Sequence, residues 1–371
     1  MNRITQLDGI RGLMLVIMTI DHISPTLIKL FSNRLGYLSA AEGFVFLSGL
    51  LAGIVYSKKI LREGIRSIQT KIHARAFLVY KYHIATCLLA IILCICIPDL
   101  YSYWKNNPPF VVPQSFPQLI GLVTLLYQSK FLDVLPIYII FLAATPLVMT
   151  QLLYGRWKLV LMVSLIVWIF NFVVFKQVNL IQYFPSYLNF GSFNVLGWQF
   201  LFFGGVVLGY LFSSNQLPFR TDNVTLFRVC LVIFGLIFFE MYLSKFGIIK
   251  LGLADLPIPY AIDKDTLGLI RVIDVYAFIY IIAFLMNKYK QLFAWSWLSF
   301  IGKHSLQVYC YHCLLVMIFK PFVLYAKGFS VLFDIAITLL LVVSLRLPAY
   351  LHEKYTNRKS QYKPAVVSQN N

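Results

Sequence analysis

Charged side chains are scarce in this sequence: only 12% of its 371 residues are Asp, Glu, Lys or Arg, while 60% are hydrophobic. A soluble domain carries about 25% charged and about 45–50% apolar residues, so an ordinary water-soluble enzyme and a disordered chain are both excluded. Acidic residues are the rarer sign, 14 against 32 Lys and Arg, for a formal net charge of +18. Such an excess would suit nucleic acid, but the basic residues fall mostly between apolar runs. Orientation rules and anionic lipid account for them there, and no nucleic acid partner is expected. The six cysteines are too few for a disulfide scaffold and sit inside apolar runs, as small hydrophobic side chains do. Cys310, His312 and Cys313 are too crowded on one helix for a tetrahedral metal site, so no metal is expected. The sequence also has no HExxH, Walker A loop, GxGxxG fingerprint or GxSxG elbow.

What is present is hydrophobic length, with a mean hydropathy of +0.77. About ten stretches of roughly 17–23 residues are each long enough to cross a ~30 Å hydrocarbon core. They lie near 8–29, 40–57, 76–97, 134–153, 157–175, 196–213, 226–244, 266–286, 298–319 and 329–349. The expected fold class is therefore all-α, a polytopic membrane helix bundle embedded in the lipid bilayer. Residues 1–349 read as one membrane domain and 350–371 as a solvated basic tail. The first stretch is too long for a cleaved signal peptide, is interrupted by Arg11, Asp21 and His22, and lacks a small-residue cleavage site.

Charge sets the orientation. The densest basic patch, Lys58, Lys59, Arg62, Arg66, Lys71 and Arg75, follows the second span. Placed in the cytoplasm, it makes both termini cytoplasmic and puts Arg156/Lys158, Arg220/Arg228, Lys288/Lys290 and the tail lysines Lys354, Lys359 and Lys363 on the same side. The longest connection, 98–133, holds Pro98, Pro108, Pro109, Pro113 and Pro117 and falls outside, with a short surface helix expected within 118–132.

An ionisable group inside a span is costly and marks a functional site by default. Arg11 and His22 are eleven residues apart, within about 20° of one another around the helix and about 16 Å apart along it. Pro25 crowds the carbonyl four residues back, so the helix should bend or end beside Asp21 and His22. Glu42, on the returning second helix, lies at the depth of His22. An imidazole with a carboxylate nearby, Glu42 or Asp21, is what general-base catalysis on a hydroxyl needs. Gly49 and Gly53 form a GxxxG, read as close helix packing. Asp133 and Tyr138, then Asn194, Trp198 and Gln199, then Lys264 and Arg271 open spans at the outer side. Asp8 and Arg11 with Lys303, His304 and Ser305 lie at the inner side. A polar inner mouth, a polar outer bowl and a histidine between them suit acyl transfer from a cytoplasmic donor to an outside acceptor. Each island also has a plain reading: Asp8 with Arg11 as a self-neutralising i,i+3 pair, Lys303 and His304 as interfacial charge, Lys264 and Arg271 as partners of Asp263 and Asp274. A transporter or flippase would also carry midplane charges, but would more often show repeated halves and broken helices, which the sequence lacks.

Leu7-Asp-Gly-Ile-Arg11-Gly followed by ten residues and His22 resembles the Arg-x10-His signature of acyltransferase-3 membrane proteins. Ala40–Gly49, Asp133–Tyr138, Phe193–Phe203, Lys264–Arg271 and Ile301–Leu306 more narrowly resemble OpgC-type proteins, although Val195 stands where that branch has proline. The resemblance implies about ten helices in a bacterial inner membrane, no bound cofactor, acyl-CoA (succinyl-CoA in that branch) as co-substrate, and a periplasmic glucan hydroxyl as acceptor. It implies donor binding by Arg11 and, at His22, a base or a hold on the thioester; by their depth Asp8, Lys303, His304 and Ser305 would sit around the donor. Asp133, Tyr138, Asn194, Trp198, Gln199, Lys264 and Arg271 would line the acceptor side, Arg271 being the best-placed cation for a dicarboxylic acyl group.

Overall fold

The computed structural model describes residues 4–28, 36–106, 112–129, 131–172, 185, 188–245, 261–325 and 331–361. Pro108, Pro109, Lys363 and the ends of the expected spans at 29, 173–175 and 329–330 lie outside them. Among the described residues every named element is a helix. Seven helices are long and apolar enough to cross a membrane: α2 (Ala40–Glu63), α3 (Ile65–Cys96), α6 (Val134–Leu153), α8 (Val195–Ser213), α9 (Val224–Lys245), α10 (Leu269–Lys288) and the nearly continuous pair α13 (Val331–Ser344) and α14 (Arg346–Gln361). α1 (Thr5–Ile23) carries Asp8, Arg11 and Asp21, and α7 (Trp157–Phe172) is shorter. Short helices α4 (Pro98–Lys105) and α5 (Phe116–Val123) lie in the long connection. α5 presents Phe116, Leu119, Ile120 and Val123 outward, as a helix lying at a membrane surface would. The chain is a helical membrane bundle, and α3, α7, α9 and α13 turn Ile92, Ile166, Leu236 and Leu340 outward.

The basic stretch 58–75 is not a loose connection. α2 and α3 run through it as helix, interrupted only at Gly64, whose φ of +77° makes the turn. Its residues are good helix formers without proline, and Lys71 pairs with Glu63. The stretch 298–319 is likewise not one helix: α11 (Ser296–Lys303) ends at His304 and α12 (Ser305–Tyr325) begins there. The cause is tertiary, because α11 crosses α1 backbone to backbone. A Cβ on Gly302 would meet the Asp8 carbonyl, and one on Gly12 the Leu298 carbonyl, both well inside 3.0 Å. The basic tail begins as helix α14, anchored by fully buried Leu345 and Ala349.

α2 and α8 form the tightest contact. Gly49 and Gly53 face the carbonyls of Phe202 and Val206, while Gly205 and Gly209 face those of Phe46 and Leu50, each too close for a Cβ. The GxxxG of α2 is thus met by a second one in α8. Gly53→Ala should lower stability by about 1–3 kcal/mol, the usual cost of overpacking, seen as earlier thermal unfolding in detergent. Wild-type melting would show that the two backbones can part without cost.

Candidate active site

α1 stops at Ile23 because Pro25 cannot continue it, and the turn that follows is clamped from α13. Asp334 Oδ2 accepts from the Ser24 hydroxyl (2.7 Å) and the Thr26 N–H (3.0 Å), while Ser24 Oγ accepts from the Leu27 N–H (2.9 Å). His22 therefore sits in the last turn of α1, one residue before a fixed corner, and the residue is partly exposed.

A second imidazole holds the ring. His22 Nδ1 lies 3.3 Å from His312 Nε2, and His312 Nδ1 lies 2.9 Å from Thr19 Oγ1. His312 and Thr19 are buried. On its other side the His22 ring meets the edge of Phe131 at 4.9 Å, and Lys320 Nζ stands 4.7 Å from the Phe131 ring centre. Tyr309 and Cys313 both donate to the Phe131 carbonyl (3.4 and 3.2 Å), which locks that residue in place. Lys320 and Lys264 are the cations whose fields reach His22.

From His22 a ladder of rings descends to Arg11. The rings of His312 and Tyr309 are 6.0 Å apart and those of Tyr309 and Phe44 are also 6.0 Å apart. The Arg11 guanidinium then lies 5.3 Å from the Phe44 centre and donates to Ser48 Oγ at 3.4 Å. The stripe expected on α1 is thus backed by α2 and α12 along its length. Arg11 is partly exposed, and Asp8, Lys303, His304 and Ser305 gather at its end of the bundle. There α14 covers two of them: Lys303 Nζ pairs with Glu353 (2.7 Å) and His304 Nδ1 meets His352 Nδ1 (2.8 Å).

Glu42 does not orient His22. Its Oε1 accepts from Arg271 Nη1 at 2.6 Å, and its Oε2 accepts from the Ser39 N–H (3.0 Å) and hydroxyl. Equal depth placed Glu42 beside His22, but its side chain turns toward α10, where it pairs with Arg271. Asp21 makes no hydrogen bond to His22 either; it lies in the field of Lys264, and its Oδ1 is buried without a hydrogen-bond partner among the described residues. Arg271 is already engaged by protein acceptors. Besides Glu42 it donates to the carbonyls of Tyr37 and Ile262, and so ties the segment before α2 to the start of α10. Asp274 strengthens that tie by accepting from the Tyr37 N–H at 2.9 Å.

Two of the remaining candidate residues hold the 261–268 loop. Asn194 caps α8 through Oδ1 (2.9 Å to the Leu196 N–H) and donates its own N–H to the Asp265 carbonyl. Trp198 is fully buried, its Nε1 donating to the carbonyls of Lys264 and Asp265 (3.1 Å each). Gln199 exchanges two hydrogen bonds with Ser164 (2.6 and 2.8 Å), and buried Asp133 accepts from the Ser192 N–H (3.0 Å). Asn194 and Trp198 thus hold the loop that carries Lys264, while Gln199 ties α8 to α7 and Asp133 ties the start of α6 to the segment before α8. Tyr138 remains partly exposed, its ring 5.9 Å from Phe202. Thr19, Lys320, Phe131 and Asp334 escaped sequence reasoning, and His312 was weighed there only as a metal ligand; the imidazole of His312 and the charge of Lys320 within an apolar run were the signal that marked two of them.

No curated protein and no solved structure matches the chain. The family model described as OpgC protein matches residues 3–357, nearly the whole length. The chain belongs to the OpgC family.

Proposed function

We infer that the protein is a bacterial inner-membrane O-acyltransferase that moves a succinyl group from cytoplasmic acyl-CoA to a periplasmic glucan hydroxyl, with His22 as the base. Membership in the OpgC family supports a membrane transferase acting on glucan. The observation that carries the residue assignment is the His22 imidazole, on a partly exposed residue, at the far end of the ladder of rings that starts at Arg11.

On this reading Arg11 holds an anionic part of the donor and the thioester reaches His22 along the ring-lined side of α1. His22 takes the proton of the acceptor hydroxyl as its oxygen attacks the thioester carbonyl. The C–S bond then breaks and the CoA thiolate recovers that proton. Charge-assisted contacts favour a cation for a distal carboxylate, a role that passes from Arg271 to Lys264 and Lys320.

The test is purified protein in detergent given succinyl-CoA and a linear or cyclic glucan, with CoA thiol and glucan mass as readouts. Acceptor-dependent CoA release with a matching mass gain supports the reading. Solute uptake into vesicles without CoA consumption would replace it with a transporter. Asp334→Ala should slow transfer about 10–100-fold, because freeing the Ser24–Thr26 corner displaces His22 and small displacements are costly in catalysis. An unchanged rate would remove the corner from the mechanism.

A further inference from the structure

His22 and His312 sit ring to ring, and the hydrogen bonds behind them point to one arrangement of protons. Thr19 has a single hydroxyl hydrogen, and its Oγ1 lies 2.8 Å from the Leu15 carbonyl one turn back on α1. A carbonyl oxygen can only accept, and a hydroxyl hydrogen aimed along this shorter contact leaves the oxygen's lone pairs to face His312. Toward His312 Nδ1, at 2.9 Å, Thr19 Oγ1 can then only accept, so Nδ1 carries the proton. A neutral imidazole protonated at Nδ1 offers a lone pair at Nε2. His312 Nε2 is the atom 3.3 Å from His22 Nδ1, so His22 must donate from Nδ1. The unprotonated nitrogen of His22 is thereby Nε2.

We propose that Thr19 and His312 form a relay that fixes the His22 tautomer, keeping Nε2 as the basic atom that meets the acceptor hydroxyl. This rests on the acyl-transfer reading and adds two positioning residues to it. Leu15, Thr19 and His312 are buried, so water does not compete for these bonds. The part played by a carboxylate in a Ser-His-Asp triad is filled here by a neutral ring. When His22 Nε2 takes the hydroxyl proton, the Nδ1 proton can pass to His312 Nε2, spreading one positive charge over two rings. Its return restores the neutral pair as Nε2 releases its proton to the leaving thiolate. No net proton is gained or lost over the cycle.

The relay makes an asymmetric prediction for isosteric changes. In Thr19→Val the oxygen that accepts from His312 is gone, and His312 can turn its proton to Nε2. His22 Nδ1 then accepts, and its proton moves to Nε2, the wrong atom. Thr19→Ser keeps both roles of the hydroxyl. Histidine-15N spectra of the purified protein read the tautomer directly, beside CoA release with succinyl-CoA and glucan. Thr19→Val and His312→Leu should lower kcat about 100-fold, the scale of losing a group that orients a reactive histidine, with KM for the donor within about two-fold. His312→Gln, whose amide can accept from His22 and donate to Thr19, and Thr19→Ser should recover at least about ten-fold of that loss. The His22 Nε2 signal should be of the unprotonated type in the wild type and protonated in Thr19→Val. A protonated Nε2 in the wild type overturns the relay, as do wild-type rates in Thr19→Val and His312→Leu. If His22→Ala itself transfers at the wild-type rate, the acyl-transfer reading fails first. If His22 is essential while both relay variants act as wild type, only the relay fails.

Discussion

Glu42→Leu is expected to destabilise the protein by about 3–5 kcal/mol, the cost of stranding one member of a buried ion pair. Arg271 is buried, and without Glu42 its guanidinium keeps only the carbonyls of Tyr37 and Ile262. The cap of α2 would go at the same time, since Glu42 also accepts from the Ser39 N–H, while Tyr37 would keep its bonds to Arg271 and Asp274. Removing both charges together, as in Glu42→Leu with Arg271→Leu, should recover most of the stability, because apolar replacements of a buried pair are often neutral. Thermal unfolding in detergent measures both effects. The double variant also decides between two roles for Glu42. If the carboxylate served His22 directly, the restored protein would remain inactive. With Glu42 facing Arg271, transfer should return along with the fold.

His22→Ala should cut acceptor-dependent CoA release about 10²–10⁴-fold, the range attributed to a positioned general base. The fold should persist, because the α1 corner is held by Asp334 and the α1–α11 crossing by Gly12 and Gly302, none of which needs the ring. The loss is then one of chemistry, and added imidazole should restore part of the rate by occupying the vacated space. The rescued rate should rise with pH through the pKa of imidazole itself, because its unprotonated form is the base. A wild-type rate without any added base would remove His22 from the chemistry.

Local features were legible in the sequence and azimuth was not. Pro25 ended α1 where steric reasoning put it, and helical period placed Arg11 and His22 on one stripe. Both follow from residues within a few turns of one another. The partner of Glu42 lies 229 residues away and that of His22 lies 290 away, and depth along a helix says nothing of the direction in which a side chain points. Glu42 and His22 were therefore matched by level and separated by the side each faces. The break at His304 has the same origin: composition makes 298–319 a continuous run, and only the closeness of Gly302 to the Asp8 carbonyl shows why the chain turns there. His312 was weighed in the sequence as a metal ligand, a role that hid its geometry as a neighbour of His22.

The single-residue joint between α2 and α3 has a practical use. At 1.5 Å per residue, 24 and 32 residues make rods of about 36 and 48 Å, longer than a ~30 Å hydrocarbon core. Their junction, Gly64, is exposed and nothing approaches within 4 Å of where its side chain would be. A compact tag grafted there would ride on a stiff mast clear of the lipid, giving particle images an alignment mark and reporting by protease or antibody access which compartment the mast enters.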